Sequence, residues 1–354
     1  MLKKLTVSNF TVFPKATFEF SPQLNVVVGD NGAGKSHVLK LGYSLASCSY
    51  SAAAGTSSGP ITKDELQKTL AEKLLRTMRP DFLGRLVSRQ QGRNRCEVSV
   101  DFVNGRGAGF SFNFASNSRT EVKLDKVPIA HLESGPIFFP TREVLSIFPG
   151  FAQAYRSREL EFDETYYDLV LALEARPLRG KRPNEIGQII EKLEHAMEGH
   201  VLVENGRFYL VLEGDARGKI EIPLVAEGIR KLAMLAYLLI NGELRDRGTL
   251  FWDEPETNLN PRLIRSIAEI LVQLARNGIQ VIAATHSLFL LRELEIQRQL
   301  LESWKTPVKT RFFALDRRTT EEVKVHSGET LDSVEPIVAL DEDLKQSDRY
   351  LELP

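Results

Sequence analysis

The chain has little of what would staple, secrete or embed it. Two cysteines among 354 residues, Cys48 and Cys96, stand in unrelated contexts. That excludes a disulfide scaffold and fits reduced thiols in a reducing compartment. No run approaches the roughly 18 apolar residues of a bilayer span, and the longest stretch, 232–240, falls far short. The N-terminus, MLKKLTVSNF, has two lysines but no sustained apolar segment behind them, so a secretory signal is not expected. The expectation is a cytoplasmic protein with no membrane contact. Neither sign of charge prevails: 46 basic and 47 acidic residues leave a net charge of −1, which argues against a wholly basic nucleic-acid binder. Heptads persist for no more than two or three turns, so a long coiled coil is absent. There is no internal repeat. His37, His131, His195, His200 and His326 lack metal-ligand spacing, and no paired cysteines suggest zinc.

What is present begins at 24–39, LNVVVGDNGAGKSHVL. An apolar β-forming run (Leu24, Val26, Val27, Val28) enters Gly29-Asp30-Asn31-Gly32-Ala33-Gly34-Lys35-Ser36, which fills G-x-x-x-x-G-K-[ST], and helix-forming sequence follows. Gly29, Gly32 and Gly34 allow backbone conformations closed to residues with a Cβ, so that successive N–H groups turn inward around a phosphate chain. The helix opening near Lys35 adds about half a positive charge aimed at the same anion. Lys35 would reach the β/γ-phosphates and the Ser36 hydroxyl would hold Mg²⁺. The motif is specific for nucleoside triphosphate and silent about how the energy is used.

Two further strands end in chemistry. Thr249-Leu-Phe-Trp-Asp253-Glu254-Pro255 is an apolar strand ending in two carboxylates. Asp253, nearest the strand, suits the metal shell, and Glu254 suits orienting and deprotonating an attacking water. Gln280-Val-Ile-Ala-Ala-Thr285-His286-Ser287 ends in a histidine placed to contact a γ-phosphate, or else simply preceding a helix start at Ser287.

Around these parts the pattern reads as α/β: a P-loop NTPase fold with parallel core strands, an antiparallel β flap and a helical insertion. Residues 3–28 alternate as half-buried strands. A small-residue loop at 51–60 precedes an amphipathic helix at about 63–78, ended by Pro80. Val98, Val100 and Phe102, then Phe110, Phe112 and Phe114, flank a turn at 104–107 and predict a hairpin. The aromatic row reads as the buried face of a sheet, in preference to a base-stacking platform. Helices are expected over 144–199, a hairpin around Asn205-Gly206, and alternating strands and helices after 249. The expected division is 1–140, a lobe with the phosphate loop and β flap; 141–222, a mainly helical insertion with a hairpin; 223–330, the second ATPase lobe; and 331–354, an acidic tail. Arg76, Arg79, Arg85, Arg89, Arg93 and Arg95 cluster as a solvated helical face or as a contact for nucleic acid or a partner.

The phosphate loop, Asp-Glu-Pro strand and Thr-His-Ser strand, in this order and with an insertion between the first two, resemble the ABC-type ATPase heads of the SMC and RecF group. The segment Phe251-Trp-Asp-Glu-Pro-Glu-Thr-Asn-Leu-Asn-Pro261 looks more closely like stand-alone AAA-labelled ATPases of the overcoming-lysogenization-defect class of phage defence. The motifs cover roughly 1–48 and 220–326. The resemblance implies ATP and Mg²⁺ as cofactors and two copies sandwiching the nucleotide, each offering a loop in trans. The matching place is 224–231, where Gly228 would approach the partner's γ-phosphate. The chain departs from the pattern at Ala226 (usually serine), Asn260 (usually aspartate) and Thr11 (usually basic). Arg142 or Glu143 stands where the family has a glutamine.

The resemblance implies an ATPase whose head-to-head dimerisation is coupled to ATP, acting as the sensor of an anti-phage system with a separate effector, since no nuclease motif is present. The alternative is a DNA-repair or chromosome-maintenance head that binds DNA directly. A transporter subunit ranks last.

Overall fold

The structure is a computed structural model that describes residues 1–54, 62–88, 94–103, 107–157, 159–178, 183–214, 218–245, 248–317 and 322–353. Residues 104–106 of the turn expected at 104–107, residues 55–60 of the loop expected at 51–60, and Arg89 and Arg93 lie outside these residues, while 51–54 continue the preceding helix and are not loop.

A six-stranded sheet carries the fold. Its members are β3 (Leu24–Gly29), β7 (Pro136–Phe139), β11 (Thr249–Asp253), β12 (Gln280–Thr285), β13 (Thr310–Asp316) and β14 (Lys324–Gly328), in the order β14-β13-β3-β12-β11-β7. All neighbours pair parallel except β14, which returns antiparallel along β13. β3, β7, β11 and β12 are buried at every residue, as befits strands covered on both faces.

Alternate residues of these strands enter two separate cores. Val26, Val28, Leu250, Trp252, Val281 and Phe312 face one core; Val27, Phe251, Ile282 and Phe313 face the other. The first core is closed by the helices α3 (Phe151–Arg156), α4 (Glu164–Glu174), α5 (Asn184–Met197), α6 (Glu227–Ile240), α7 (Pro261–Arg276) and α8 (Leu288–Ser303). The apolar run 232–240 is the body of α6, buried in this core from Leu232 to Leu239. The second core is closed by α1 (Lys35–Ala54), α2 (Lys63–Met78) and an antiparallel sheet.

That antiparallel sheet is the expected flap, and it is larger than local pattern suggests. β1 (Leu2–Phe10) pairs with β2 (Phe13–Glu19) on one side and with β4 (Arg95–Phe102) on the other. β5 (Phe110–Ala115) and β6 (Lys123–Lys126) extend it to five strands. Phe110, Phe112 and Phe114 are 1, 0 and 2 % exposed, so the aromatic row is core and offers no platform for bases. α2 begins with a capping box, Thr62 and Glu65 each satisfying the other's backbone N–H, and ends where Arg79 turns left-handed before Pro80.

The insertion is docked, not free-standing. Lys40 pairs with Asp163 at 2.8 Å, Lys73 with Asp168 at 2.6 Å and Glu164 at 3.3 Å, and the Tyr43 hydroxyl donates to Asp168 at 2.6 Å. These contacts fasten α4 to α1 and α2 across the expected boundary at 140. A small sheet, β8 (Gly199–Glu204), β9 (Arg207–Leu212) and β10 (Lys219–Glu221), lies beside α5, with its hairpin turned by Asn205 and Gly206 at positive φ. The final helix, α9 (Val338–Leu351), buries none of its residues.

Candidate functional site

Strand register brings the three chemical segments to one edge. Asp253 lies opposite Ala284, Thr285 opposite Val28, and Gly29 opposite Leu315, so β11, β12 and β3 end within about a residue of one another. In a parallel sheet this carboxyl edge is where a ligand is received.

The loop after β3 turns on glycines at two places of left-handed backbone. Gly32 and Gly34 have φ of +75° and +94°. A Cβ on Gly34 would meet the Phe13 ring and Val12 at 2.7 Å, because the loop rests on the β1–β2 hairpin. Lys35 folds back over the loop and donates to the carbonyls of Gly29 (2.9 Å) and Asp30 (3.2 Å). Burial holds its pKa below the ordinary lysine value, while Glu254 and Asp253 oppose that shift. Asn31 N–H donates to the Asp30 carboxylate at 2.7 Å, and Ala33 N–H to the Asp30 carbonyl at 3.2 Å.

Asp253 is buried, and burial raises its pKa against the lowering effect of a hydrogen bond from Ser36. Its Oδ1 has no hydrogen-bond partner. A buried carboxylate oxygen left unmatched beside a hydroxyl is costly on its own and suits a small oxygen-seeking dication, so Ser36 and Asp253 fit Mg²⁺.

Glu254 adopts φ +49°, a left-handed conformation that costs a residue with a Cβ about 1–3 kcal/mol. Its N–H still donates to Ala284 O at 2.9 Å. Oε1 lies 3.0 Å from His286 Nδ1, and Thr257 Oγ1 donates to Oε2 at 3.3 Å. His286 is half exposed at the mouth, and its Nδ1 is also 4.0 Å from Glu256 Oε1. Ser287 caps α8 by accepting from Leu290 N–H at 3.2 Å, so the histidine does precede a helix start as well as facing Glu254.

Sequence reasoning passed over Glu256 and Lys231. Glu256 is buried, accepts a hydrogen bond from Thr285 Oγ1, leaves Oε2 unpartnered, and has its pKa raised chiefly by burial. Lys231 is 1 % exposed and donates to the carbonyls of Thr257 (2.9 Å) and Glu254 (3.4 Å). Both acids of the Glu254–Glu256 pair were visible in the motif, but a buried glutamate three residues beyond the strand carries no periodic signal.

Gly228 has close neighbours within its own subunit. It is buried at the start of α6, and a Cβ there would sit 2.6 Å from the Asn258 carbonyl oxygen and 2.8 Å from Leu259 Cδ2 of its own chain. Packing within the subunit therefore accounts for the glycine. Pro223, Leu224 and Ala226 are exposed at this corner, and no side chain caps the helix. Asn260 is the N-cap of α7, accepting from Leu263 N–H at 3.0 Å. Glu143 is committed to Arg230 at 2.8 Å and to Ser146, whereas Arg142 is exposed. Thr11 sits at the β1–β2 tip with φ +49°, its hydroxyl 3.1 Å from His37 Nδ1.

The described arginines of the basic cluster have partners. Arg76 faces Glu72 and Glu164, Arg79 faces Glu161, Arg85 faces Asp81, and Arg95 donates to Asn113. Such pairing reduces the positive field a phosphate backbone would meet. Among the described residues no helix is long and apolar enough to cross a membrane.

A family profile described as "AAA domain, putative AbiEii toxin, Type IV TA system" matches residues 24–292. No curated protein matches the chain. Among solved structures, an SMC head bound to the C-winged helix domain of ScpA superposes with TM-score 0.55 at 14 % identity, covering 94 % of this chain and 98 % of that one. An Smc head domain with an extended coiled coil, bound to the C-terminal domain of ScpA derived from Pyrococcus furiosus, gives 0.51 at 12 % identity, covering 99 % and 100 %. At such identities the likeness establishes the fold alone, that of the SMC head.

Proposed function

The chain belongs to this AAA-domain family, and from that premise we propose that it binds ATP with Mg²⁺ at the carboxyl edge of β3, β11 and β12 and hydrolyses it. The observation that carries the proposal is the meeting of five groups from three distant segments: Lys35, Ser36, Asp253, Glu254 and His286.

Gly29, Asp30, Asn31, Gly32, Ala33 and Gly34 would wrap the phosphates with their amides, and Lys35 would exchange its two carbonyl partners for the β/γ-phosphate oxygens. Ser36 and Asp253 would hold Mg²⁺, which when bound neutralises charge developing on the β- and γ-oxygens. Glu254 is the general base. It takes a proton from a water aligned with the γ-phosphate, and such a base is worth about 10²–10⁴ in rate. His286 fixes one Glu254 oxygen and stands near the departing phosphate; Thr257 fixes the other.

We further propose that two heads close face to face over the nucleotide. The backbone amides opening α6, around Ala226 to Gly228, would supply the trans contact, since Gly228's own flank is covered. The family's description as a putative toxin of a type IV toxin–antitoxin system supports work in a system of that kind, and a regulatory ATPase of anti-phage defence with a separate effector is our proposal within it. The two SMC heads are each described with a bound ScpA domain, which supports a protein partner for this head also. The four-part division at 140, 222 and 330 is proposed as an order of modules along the chain, joined in space by shared cores.

Steady-state hydrolysis tests this. Wild type should release phosphate from ATP in Mg²⁺, Lys35→Ala should lose nucleotide binding, and Glu254→Gln should keep binding while losing about 10²-fold or more in turnover. Equal turnover in wild type and Glu254→Gln would refute the assignment of the base.

A further inference from the structure

The turn after β11 is bent into left-handed backbone at both ends, Glu254 at φ +49° and Asn258 at φ +63°. Within it, Thr257 N–H donates to Glu254 O at 3.2 Å and Leu259 N–H to Glu256 O at 3.1 Å. These backbone bonds do not themselves orient the Glu254 side chain, whose oxygens meet His286 and the Thr257 hydroxyl of the turn. The same helix, α6, touches the turn at both bends. Gly228 lies under the Asn258 carbonyl, and three residues later Lys231 lies under the carbonyls of Glu254 and Thr257.

Lys231 is an expensive way to make that contact. Its ammonium is buried, and burial pulls its pKa down to about 8 in spite of Glu256, Glu227, Glu254 and Glu143 nearby. A lysine so placed has a reason to be there beyond filling space, because a Met of similar length would fill it without desolvating a charge.

We propose that Lys231 is a positioning residue for hydrolysis: from α6 it clamps the carbonyls of Glu254 and Thr257, holds the 254–259 turn in its bent form, and so aims the Glu254 carboxylate. Because α6 opens at the corner offered to a second head, the clamp also ties the aim of Glu254 to the placement of that helix. This inference rests on the reading of Glu254 as the base.

The test uses the full chain carrying Lys231→Met or Lys231→Gln. The Met variant should lose about 10²-fold in kcat while KM and the affinity for a non-hydrolysable ATP analogue stay within about threefold. The Gln variant, which keeps an N–H donor, should recover part of the loss. In a Glu254→Gln background, Lys231→Met should lower the residual rate no further, since both act through one group. A Met variant within about twofold of wild type, a loss that adds in full to that of Glu254→Gln, or a matching loss of nucleotide affinity would each overturn the proposal. Amide exchange across 254–259 reads the clamp without turnover and should quicken by about tenfold in the Met variant. Unchanged exchange overturns the clamp whatever the enzyme does. Faster exchange in a chain that hydrolyses nothing would leave the clamp standing and sink the functional reading alone.

Discussion

Replacing Gly228 with alanine separates two explanations of why a glycine opens α6. The added Cβ would lie 2.6 Å from a backbone oxygen, Asn258 O, and 2.8 Å from Leu259 Cδ2. Neither side can retreat freely. α6 is buried from Leu232 to Leu239, and the turn is pinned at Glu254 N–H to Ala284 O. Overpacking of this kind costs about 1–3 kcal/mol. Alanine regains up to about 1 kcal/mol of helix propensity over glycine, less in the first turn than in the interior. A net loss of about 1–2 kcal/mol follows, measurable as a lower urea midpoint in dilute protein without nucleotide. The turn would also shift beneath Glu254, so turnover should fall with stability. If Gly228→Ala unfolds at the wild-type midpoint without nucleotide and fails only in ATP-dependent assembly, the packing argument is wrong and the glycine serves the second copy.

Further expectations follow from the same contacts. Phe112→Ala, at a ring with no exposure, should cost about 3–5 kcal/mol in chemical denaturation, whereas a loss near zero would contradict its place in the core. Lys231 has a folded pKa near 8 against 10.5 for the free side chain. The unfolded chain therefore binds more protons across that window, and stability from this group rises as pH climbs through it, by about 3 kcal/mol in all. The stability of wild type relative to Lys231→Met should accordingly improve between pH 7 and 10; a flat difference would show that the lysine is not desolvated.

Much of the fold was legible because its signals are local. The apolar run into Gly29, the amphipathic stretch stopped at Pro80 and the Asn205-Gly206 turn each specify an element from adjacent residues. The contributions hidden from sequence are those made by pairs far apart. β1 pairs with β4 across some ninety positions, and nothing near either strand announces it. Arg76 and Arg79 look like a basic patch until the 161–164 stretch arrives with its carboxylates. At the site, a motif located Lys35, Ser36, Asp253, Glu254 and His286. Lys231 escaped because a charged residue in an apolar helix reads as surface until the carbonyls it holds are placed beside it. Gly228 is legible only in part for a related reason: its motif position suggests a partner's nucleotide, and only the approach of Asn258 reveals a second cause within the subunit.

The most direct test of the account is the native mass of Glu254→Gln with and without ATP and Mg²⁺. A head closed by its nucleotide and unable to hydrolyse it should be a monomer without ATP and accumulate as a dimer holding two ATP. A variant that binds ATP yet shows the same mass in both conditions would contradict it.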